Sequence, residues 1–520
     1  MPRIARHPRY LTLALPHLST DRIARARWGR SWISDGRPEG PPLVVTDTAK
    51  SAIRLVALEP GAEAHGLMPG QTLADARALR PDIDAVPADR HADADVLAAM
   101  AAWADRYTPL VGLSGEDGLV MDITGVAHLF GGEEKMLGEV TARLRGQGFH
   151  AGLAIADTPG AGWALARHRP GMVVPPGDQA EALAPLPVSA LRIAEDVATG
   201  LVRVGLKTIG CIAPLPRAPL ATRFGQALLE SLDRALGRAE QTISPLRTPP
   251  DLVAEKRFFD PIVHEDDIAR TIALLAEALV PMLEDQGLGG RRFELRLFRV
   301  DGVVESLDVA AANPLRRPDR IAALFRERIA GLRVEIDAGF GFDLVKLAVC
   351  QADPFPGTQG DLVERSASQD NYEALVDRLG ARLGTDRVRA FAVADTHIPE
   401  RTFGTVPVTR AAKGARAAEV GGPVTRPVWL LARPEPVDTV AEVPDGPPLR
   451  FRWRKVGYEV ARSEGPERIA CEWWRDGRGS RTRDYFRVEA TEGHRFWMFR
   501  NGLYGREVVV PRWYMHGVFS

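Results

Sequence analysis

Three carboxylates lie close together in one segment, residues 106–125, which reads RYTPLVGLSGEDGLVMDITG. They are Glu116, Asp117 and Asp122, and carboxylates are the groups that hold divalent metal ions for phosphoryl transfer. Asp117 and Asp122 are an odd number of residues apart, so in a regular strand their side chains point to opposite faces. A two-metal clamp draws carboxylates from two strands, and one short segment does not easily supply it.

The other candidate metal ligands and nucleophiles are scattered. The cysteines, Cys211, Cys350 and Cys471, form no CxxC pair, and the 11 histidines form no HxH or HxxxH pair. So sparse a cysteine set indicates a reducing compartment, with no disulfide framework and no zinc site. We therefore predict no cofactor and no metal site.

Composition bounds the class of protein. The chain has 520 residues, of which 45% are hydrophobic and 26% charged, and 67 Lys and Arg nearly balance 68 Asp and Glu. At about 100–200 residues per domain, the length predicts roughly three to five domains, and the charge argues against a globally basic nucleic-acid coat. The short N-terminal apolar run is broken by Pro16 and His17, and no run spans a membrane. We expect a soluble, cytoplasmic protein with no membrane partner.

Several kinds of element must position these residues. Strand patterns, such as YLTLAL at residues 10–15, alternate with helical patterns over the first 170 or so residues and predict an α/β layer. A helical region follows to about residue 236, then the Pro-rich stretch SPLRTPPD and a second, α+β unit. From residue 426 the chain is rich in tryptophan and alternates as strands do.

The segment at residues 106–125 resembles the palm of the Y-family DNA polymerases, where a YTPxVE-like turn leads into a strand carrying SIDEAFLDLTG. The order of the other parts is similar as well. The resemblance implies an α/β and α+β multidomain fold, a polymerase-like hand with a mostly-β C-terminal domain. The implied parts are palm (8–18 and 88–175), fingers (19–87), helix-hairpin-helix thumb (176–240), linker (241–252), little finger (253–350), a flexible segment (351–425) and a partner-interaction domain (426–520).

The catalytic positions of that pattern are degenerate here. Its two first-strand aspartates fall on Ala14 and Pro16, and its Asp-Glu pair falls on Asp117 and Gly118. A slip of one residue would place Glu116 and Asp117 at the pair, but it needs an extra residue inside the strand. Under either register the first strand offers no carboxylate. The resemblance thus implies a polymerase fold without its catalytic residues.

The nucleotide contacts of the pattern are also replaced. The family's triphosphate-binding Tyr and Arg fall on Pro60 and Glu63, its Asn-Lys pair becomes part of ADTPGAGWALAR, and its aromatic gate against ribonucleotides becomes Leu18-Ser19. With TGVAHLFGGE, GPERIACEWW and RDYFRVE, the chain is similar to the ImuB family, catalytically inactive Y-family paralogues of the bacterial mutasome.

That similarity implies a non-catalytic adaptor in DNA-damage-induced (SOS) translesion synthesis and mutagenesis. Its implied partners are primer-template DNA, the sliding clamp, the RecA-like ImuA and the error-prone polymerase ImuC. Two alternatives stay open. One is an active Y-family polymerase that uses Asp117 and neighbouring carboxylates. The other is a protein-interaction scaffold that does not bind DNA, which the near-zero net charge slightly favours.

A short peptide, QGDLV, resembles the bacterial clamp-binding form Q-x-[SD]-L-[FL]. Gln359 would hydrogen-bond in one subsite of the clamp, Asp361 fits the third position, and Leu362 and Val363 would fill an apolar cleft. The peptide QADPF at residues 351–355 is a weaker competitor because Pro354 occupies the Leu position.

Two basic segments are candidate DNA contacts. The turn GLKTIG and its flank bring Arg203, Gly205, Lys207 and Gly210 together, as helix-hairpin-helix turns do to bind a phosphate; the alternative is a capped turn with exposed basic residues. The strand RRFELRLFRVDG places Arg292 and Arg296 on one face, which could follow the duplex backbone or be merely solvated.

Tryptophans in the C-terminal region admit three interpretations. Trp473, Trp474 and Trp497 lie among arginines and could stack on single-stranded bases. They could equally form the core of a small β domain or a partner surface.

Overall fold

The computed structural model describes residues 7–49, 51–332, 336–355, 365–408, 426–442, 446–477 and 479–519. The chain divides into two compact units, residues 1–362 and 363–520. No helix among the described residues is both long and apolar enough to cross a membrane.

The first part of unit 1 alternates strands and helices, as predicted. Its elements are β1 (Tyr10–Ala14), α1 (Leu18–Trp28), α2 (Trp32–Asp35), β2 (Leu43–Ala49), β3 (Ala52–Leu58), α3 (Leu73–Leu79), β4 (Asp84–Pro87), α4 (Arg90–Ala104), β5 (Val111–Leu113), β6 (Gly118–Asp122), α5 (Glu133–Gly146), β7 (Gly152–Ala156), α6 (Pro159–His168) and β8 (Met172–Val173).

A five-stranded sheet in the order β5-β6-β1-β7-β8 forms the palm region, and β3-β2-β4 form a separate sheet in the fingers region. Strand β1 is central and pairs antiparallel with both β6 and β7. Both of its faces are buried, because Leu11 and Leu13 pack against α4 and α5 while Ala14 packs with α6. The small residues on the α6 side allow a close approach, and a Cβ added at Gly162 would lie 2.3 Å from the hydroxyl oxygen of Thr12.

The thumb region is helical and packs on the α6 side of the sheet. Its helices are α7 (Gln179–Leu183), α8 (Glu195–Arg203), α9 (Ile209–Ile212), α10 (Arg217–Phe224) and α11 (Gln226–Leu236). The linker that follows is not detached. The N–H of Leu246 donates to the carbonyl of Val111 at 2.9 Å, so the chain lies along the edge strand β5.

The little-finger region is an antiparallel sheet in the order β11-β10-β12-β9, with two helices. Its elements are β9 (Leu252–Ile262), α12 (Glu265–Asp285), β10 (Leu288–Arg299), β11 (Val304–Leu315), α13 (Pro318–Ala330) and β12 (Phe342–Pro354). Basic and acidic side chains of the sheet contact the palm region, including Arg296 with Asp105 and Arg106 with Asp343.

Unit 2 contains a closed barrel of six antiparallel strands in sequence order. Its elements are α14 (Arg365–Leu383), β13 (Arg389–Val393), β14 (Phe403–Pro407), β15 (Trp429–Ala441), β16 (Pro448–Trp453), β17 (Val456–Ile469), β18 (Arg483–Ala490), β19 (Arg495–Asn501) and β20 (Arg512–Val518). Phe486, Phe496 and Trp513 lie in an apolar cluster at the barrel core.

One domain prediction needs correction. Residues 351–425 were expected to be a flexible segment, yet their described part contains the end of β12, helix α14 and the hairpin β13–β14. The physical reason is tertiary. Ile398 is buried in a second apolar cluster with Tyr485, Trp497 and Phe499 of the barrel strands, so residues 365–408 belong to the barrel unit, whereas the end of β12 belongs to the little-finger sheet.

Candidate functional site

The palm positions that the sequence singled out do come together. Ala14, the last residue of β1, pairs with Gly118, the first residue of β6. The N–H of Leu15 donates to the carbonyl of Asp117 at 2.7 Å, which continues the pairing past the strand ends. Two strand ends thus meet where a two-metal site needs carboxylates, but the meeting residues carry a methyl group and a hydrogen atom.

Gly118 has no room for a side chain. A Cβ at this position would lie 2.5 Å from the carbonyl oxygen of Leu13 and 3.1 Å from that of Ser114. Both atoms belong to the backbone, so neither can move aside without shifting a strand. A glutamate at position 118 is therefore incompatible with this pairing of β1 and β6.

The remaining carboxylate, Asp117, is engaged by an arginine. The guanidinium of Arg167 on α6 donates to its Oδ1, and the same guanidinium lies 4.2 Å from the ring centre of Trp163. The guanidinium of Arg192 lies 5.1 Å from the centre of the same ring. Burial lowers the pKa of Arg167 while Asp117 opposes that change, and a guanidinium stays charged at neutral pH in either case.

The residues present do not fit a pair of catalytic metal ions. Ala14 and Gly118 offer no ligand, and Asp117 already neutralises a fixed cation. Across the described part of the chain, no group of three or more His, Cys, Asp or Glu side chains is placed to hold a metal ion.

Beside this site, a cleft of about 760 Å³ lies between the palm and fingers regions. Its lining includes four acidic side chains, Asp47, Asp93, Glu116 and Asp117, and one arginine, Arg90. The Arg90 guanidinium already pairs with Asp47 at 2.9 Å. Asp93 and Asp117 are also paired, with Arg22 and Arg167, so the arginine of this described lining and three of its four carboxylates are already engaged in ion pairs. The lining therefore offers a triphosphate no unengaged cation.

The positions predicted to replace the nucleotide contacts lie in different environments. Ser19 donates its hydroxyl to Asp93 at 2.7 Å, and Leu18 is buried. Thr158 caps α6 by accepting the N–H of Ala161 at 3.1 Å. Pro60 and Glu63 are exposed on the surface.

The residues of the predicted thumb contact lie at the end of α8, on the turn that leads into α9 and in α9 itself. Arg203, Gly205 and Lys207 are exposed on the turn between α8 and α9, and Gly205 has a φ of 85°. Gly210 does not lie as predicted, because its N–H donates to the carbonyl of Ala184 at 2.9 Å and is not directed outward. The exposed cations are therefore the groups of this turn that could meet a phosphate.

The two predicted little-finger arginines differ. Arg292 is exposed, 3.7 Å from Asp308. Arg296 was predicted to be accessible to DNA, and this is wrong. Its side chain is 7% exposed, and its guanidinium pairs with Asp105 at 2.5 Å. Alternation along the strand cannot reveal this, since the strand face that carries Arg296 is covered by α4 of the palm region.

The clamp-binding prediction, at Gln359, Asp361, Leu362 and Val363, lies outside the described residues. Of the three tryptophans, Trp497 is buried and stacked on Tyr485 at 4.1 Å, which agrees with a core role. Trp473 and Trp474 are exposed, so a core role for this pair is wrong.

Sequence reasoning missed Arg167 and Arg192. The sequence does indicate that Arg167 lies beside Trp163, because the two residues are four apart on α6 and so share one helix face. Nothing local indicated that this face would meet Asp117.

Comparison with known proteins decides the family. Residues 34–166 match the model of the impB/mucB/samB family. Over 465 residues the chain is 41% identical to Protein ImuB of Caulobacter vibrioides, which covers 88% of this chain and 100% of that protein. The chain belongs to the ImuB family.

More distant similarities extend to polymerases. DNA polymerase IV 1 of Mesorhizobium japonicum is 23% identical over 419 residues, covering 77% of this chain and 92% of that protein. The crystal structure of DinB from Sulfolobus solfataricus matches 66% of this chain and 98% of that chain, at 12% identity and a TM-score of 0.39. In this ImuB-family chain, the Y-family-like hand lies in unit 1 and the β-barrel lies in unit 2.

Proposed function

We propose that this protein is a non-catalytic adaptor in DNA-damage-induced translesion synthesis and mutagenesis. It would hold primer-template DNA, dock on the sliding clamp and recruit an error-prone polymerase. One observation carries the proposal: Arg167 pairs with Asp117 at the strand ends where Ala14 and Gly118 replace the other carboxylates. Membership of the ImuB family supports a role in mutagenesis and translesion synthesis.

The chemistry explains why this arrangement favours an adaptor. Template-directed extension needs metal ions that neutralise phosphate charge and lower the pKa of the primer hydroxyl. A guanidinium in an ion pair supplies positive charge but cannot take a hydroxyl oxygen as a ligand. The palm can thus keep its shape without promoting transfer.

DNA would be held by exposed cations of unit 1. Arg203 and Lys207 on the thumb turn and Arg292 on the little finger are the predicted positions that remain accessible. Each phosphate contact contributes a counterion-release term, so binding should weaken as salt rises. A scaffold that does not bind DNA would show no such dependence.

Partner recruitment rests on the sequence and the family. The peptide with Gln359 and Leu362 is proposed to dock on the clamp, and ImuA and ImuC are the proposed mutasome partners. Unit 2 is the proposed partner-interaction region.

The test of catalysis is primer extension by the full-length protein, with Mg²⁺ and separately with Mn²⁺. The primer-template must be shown to bind under the same conditions, by anisotropy across a salt series. We expect binding without any added nucleotide. Extension that disappears in Asp117→Ala would instead establish an active polymerase, and salt-independent or absent binding would favour the scaffold without DNA.

Clamp docking has its own test. Gln359→Ala with Leu362→Ala should abolish binding to the purified clamp, measured by surface plasmon resonance. Gln351→Ala, in the competing peptide, is the matched control and should bind as the parent does. Loss of binding in the control alone would move the docking site to residues 351–355.

A further inference from the structure

Two tryptophans stand out from the surface of unit 2. Trp473 and Trp474, between β17 and β18, are 81% and 65% exposed, and their rings meet edge to face at 5.7 Å. By contrast, Trp497 and Tyr485 on the barrel strands are buried. Exposed adjacent indoles are costly in water and mark a binding surface more often than isolated apolar residues do.

The segment that carries the indoles is fixed by hydrogen bonds and ion pairs of its neighbouring residues. Glu472, 3% exposed, accepts hydrogen bonds from the Thr396 hydroxyl and from Arg401, the latter at 3.3 Å. Arg401 also pairs with Asp476 at 2.6 Å. The N–H groups of Arg475 and Asp476 both donate to the Glu472 carbonyl, at 2.8 and 2.7 Å. The tryptophans are therefore presented by a preorganised turn, which lowers the entropy cost of binding.

The exposed charge around the indoles is positive. Arg401 pairs with both acidic groups of the turn, of which Glu472 is buried and Asp476 is only partly exposed. Arg475 and Arg481 are exposed on the same segment. The surface therefore complements an anionic ligand.

A neighbouring segment extends this surface. The carboxylate of Glu507 accepts from the N–H and the hydroxyl of Thr482, at 3.0 and 2.8 Å. These bonds tie residues 503–508 to the end of the tryptophan segment, and the exposed Glu507 keeps its negative charge. Tyr504 and Arg506, both exposed, add one more aromatic ring and one more cation.

We propose that Trp473 and Trp474, with Arg475 and Arg481, form a binding site for single-stranded DNA. Unpaired bases stack on the indole faces, and the guanidiniums bind the backbone phosphates. The two ring planes are at 88° to each other, so the bases that stack on the two indoles cannot be stacked on one another. This site is separate from the duplex contacts of the polymerase-like hand and goes beyond the proposed adaptor function.

The test compares variants of the full-length protein for binding of a fluorescein-labelled dT20 oligonucleotide. Each indole stacks on one base, so Trp473→Ala with Trp474→Ala should weaken binding by at least ~30-fold. Trp473→Phe with Trp474→Phe should retain most of the affinity. Trp429→Ala removes another exposed indole of the barrel unit, 68% exposed, and is the matched control that should leave binding unchanged.

The outcomes separate this site from the hand and from a protein contact. Arg203→Ala with Lys207→Ala should weaken duplex primer-template binding but leave the quenching of tryptophan fluorescence by dT20 intact. Unchanged dT20 affinity in the double alanine variant overturns the proposal. Unchanged dT20 affinity together with weaker binding of the error-prone polymerase would identify the tryptophan pair as a protein contact instead. Circular dichroism establishes that each variant is folded.

Discussion

The close approach at Gly118 gives the sharpest test of why the palm could not simply regain its carboxylates. In Gly118→Ala the new Cβ would lie 2.5 Å from the Leu13 carbonyl oxygen, well inside van der Waals contact. Overpacking costs about 1–3 kcal/mol, and here the obstructing atom is backbone in a central strand. We therefore expect the upper end, about 3 kcal/mol, for alanine. Gly118→Glu should cost more, because it also places a carboxylate beside Asp117.

Hydrogen exchange followed by mass spectrometry can localise this effect to β1 and β6. A local loss of about 3 kcal/mol corresponds to roughly 100-fold faster exchange through opening of these strands. Gly40→Ala is the control, since a Cβ there meets no atom within 4 Å. It should change exchange by no more than a surface substitution does.

Two results would refute the reasoning. Parent-like exchange in Gly118→Ala would mean that the strands adjust without cost. Primer extension by Ala14→Asp with Gly118→Glu would mean that the missing side chains alone account for any loss of activity. We expect faster exchange in the first variant and no extension by the second.

The remaining predictions concern charge. Burial lowers the pKa of His516 to about 4. A histidine in the unfolded chain has a pKa near ~6.5, so the unfolded state takes up this proton first as the pH falls. The barrel should therefore lose stability between about pH 6.5 and 4, and the loss at pH 5 should be about 2 kcal/mol. In calorimetry, the free energy of unfolding of His516→Gln should depend less steeply on pH than that of the parent. Some dependence should remain, because the pKa of Glu400 is also lowered. An unchanged pH dependence in this variant would contradict the prediction. Arg296→Ala should destabilise unit 1 by about 2–3 kcal/mol, since it leaves Asp105 partly buried without its closest partner, and should leave the salt dependence of DNA binding unchanged. Arg292→Ala should leave the stability of unit 1 unchanged but lower the slope of log affinity against log salt by about 1 in anisotropy titrations of DNA binding. If the slopes of variant and parent are equal, Arg292 does not contact the DNA.

Local sequence patterns were enough for much of the fold. The alternation of YLTLAL and of GLVMDITG places two strands, and the residue types at their ends already exclude a full carboxylate set. Ala14 and Gly118 are the positions at which the sequence predicts the carboxylates to be missing, and the structure pairs these two residues directly. These features depend on residues within a few positions of one another.

Tertiary structure decided what each charged and aromatic group does. The pair of Arg167 with Asp117 joins residues 50 positions apart, and the pair of Arg296 with Asp105 joins residues 191 apart. A helical or strand period cannot predict pairs so far apart in the sequence, because such pairs depend on which helix packs over which strand face. For the same reason Trp497 is buried while Trp473 and Trp474 are exposed, although all three lie among arginines. The sequence alone determined the strand pattern and the missing carboxylates, whereas packing determined which cations and rings remain free to bind.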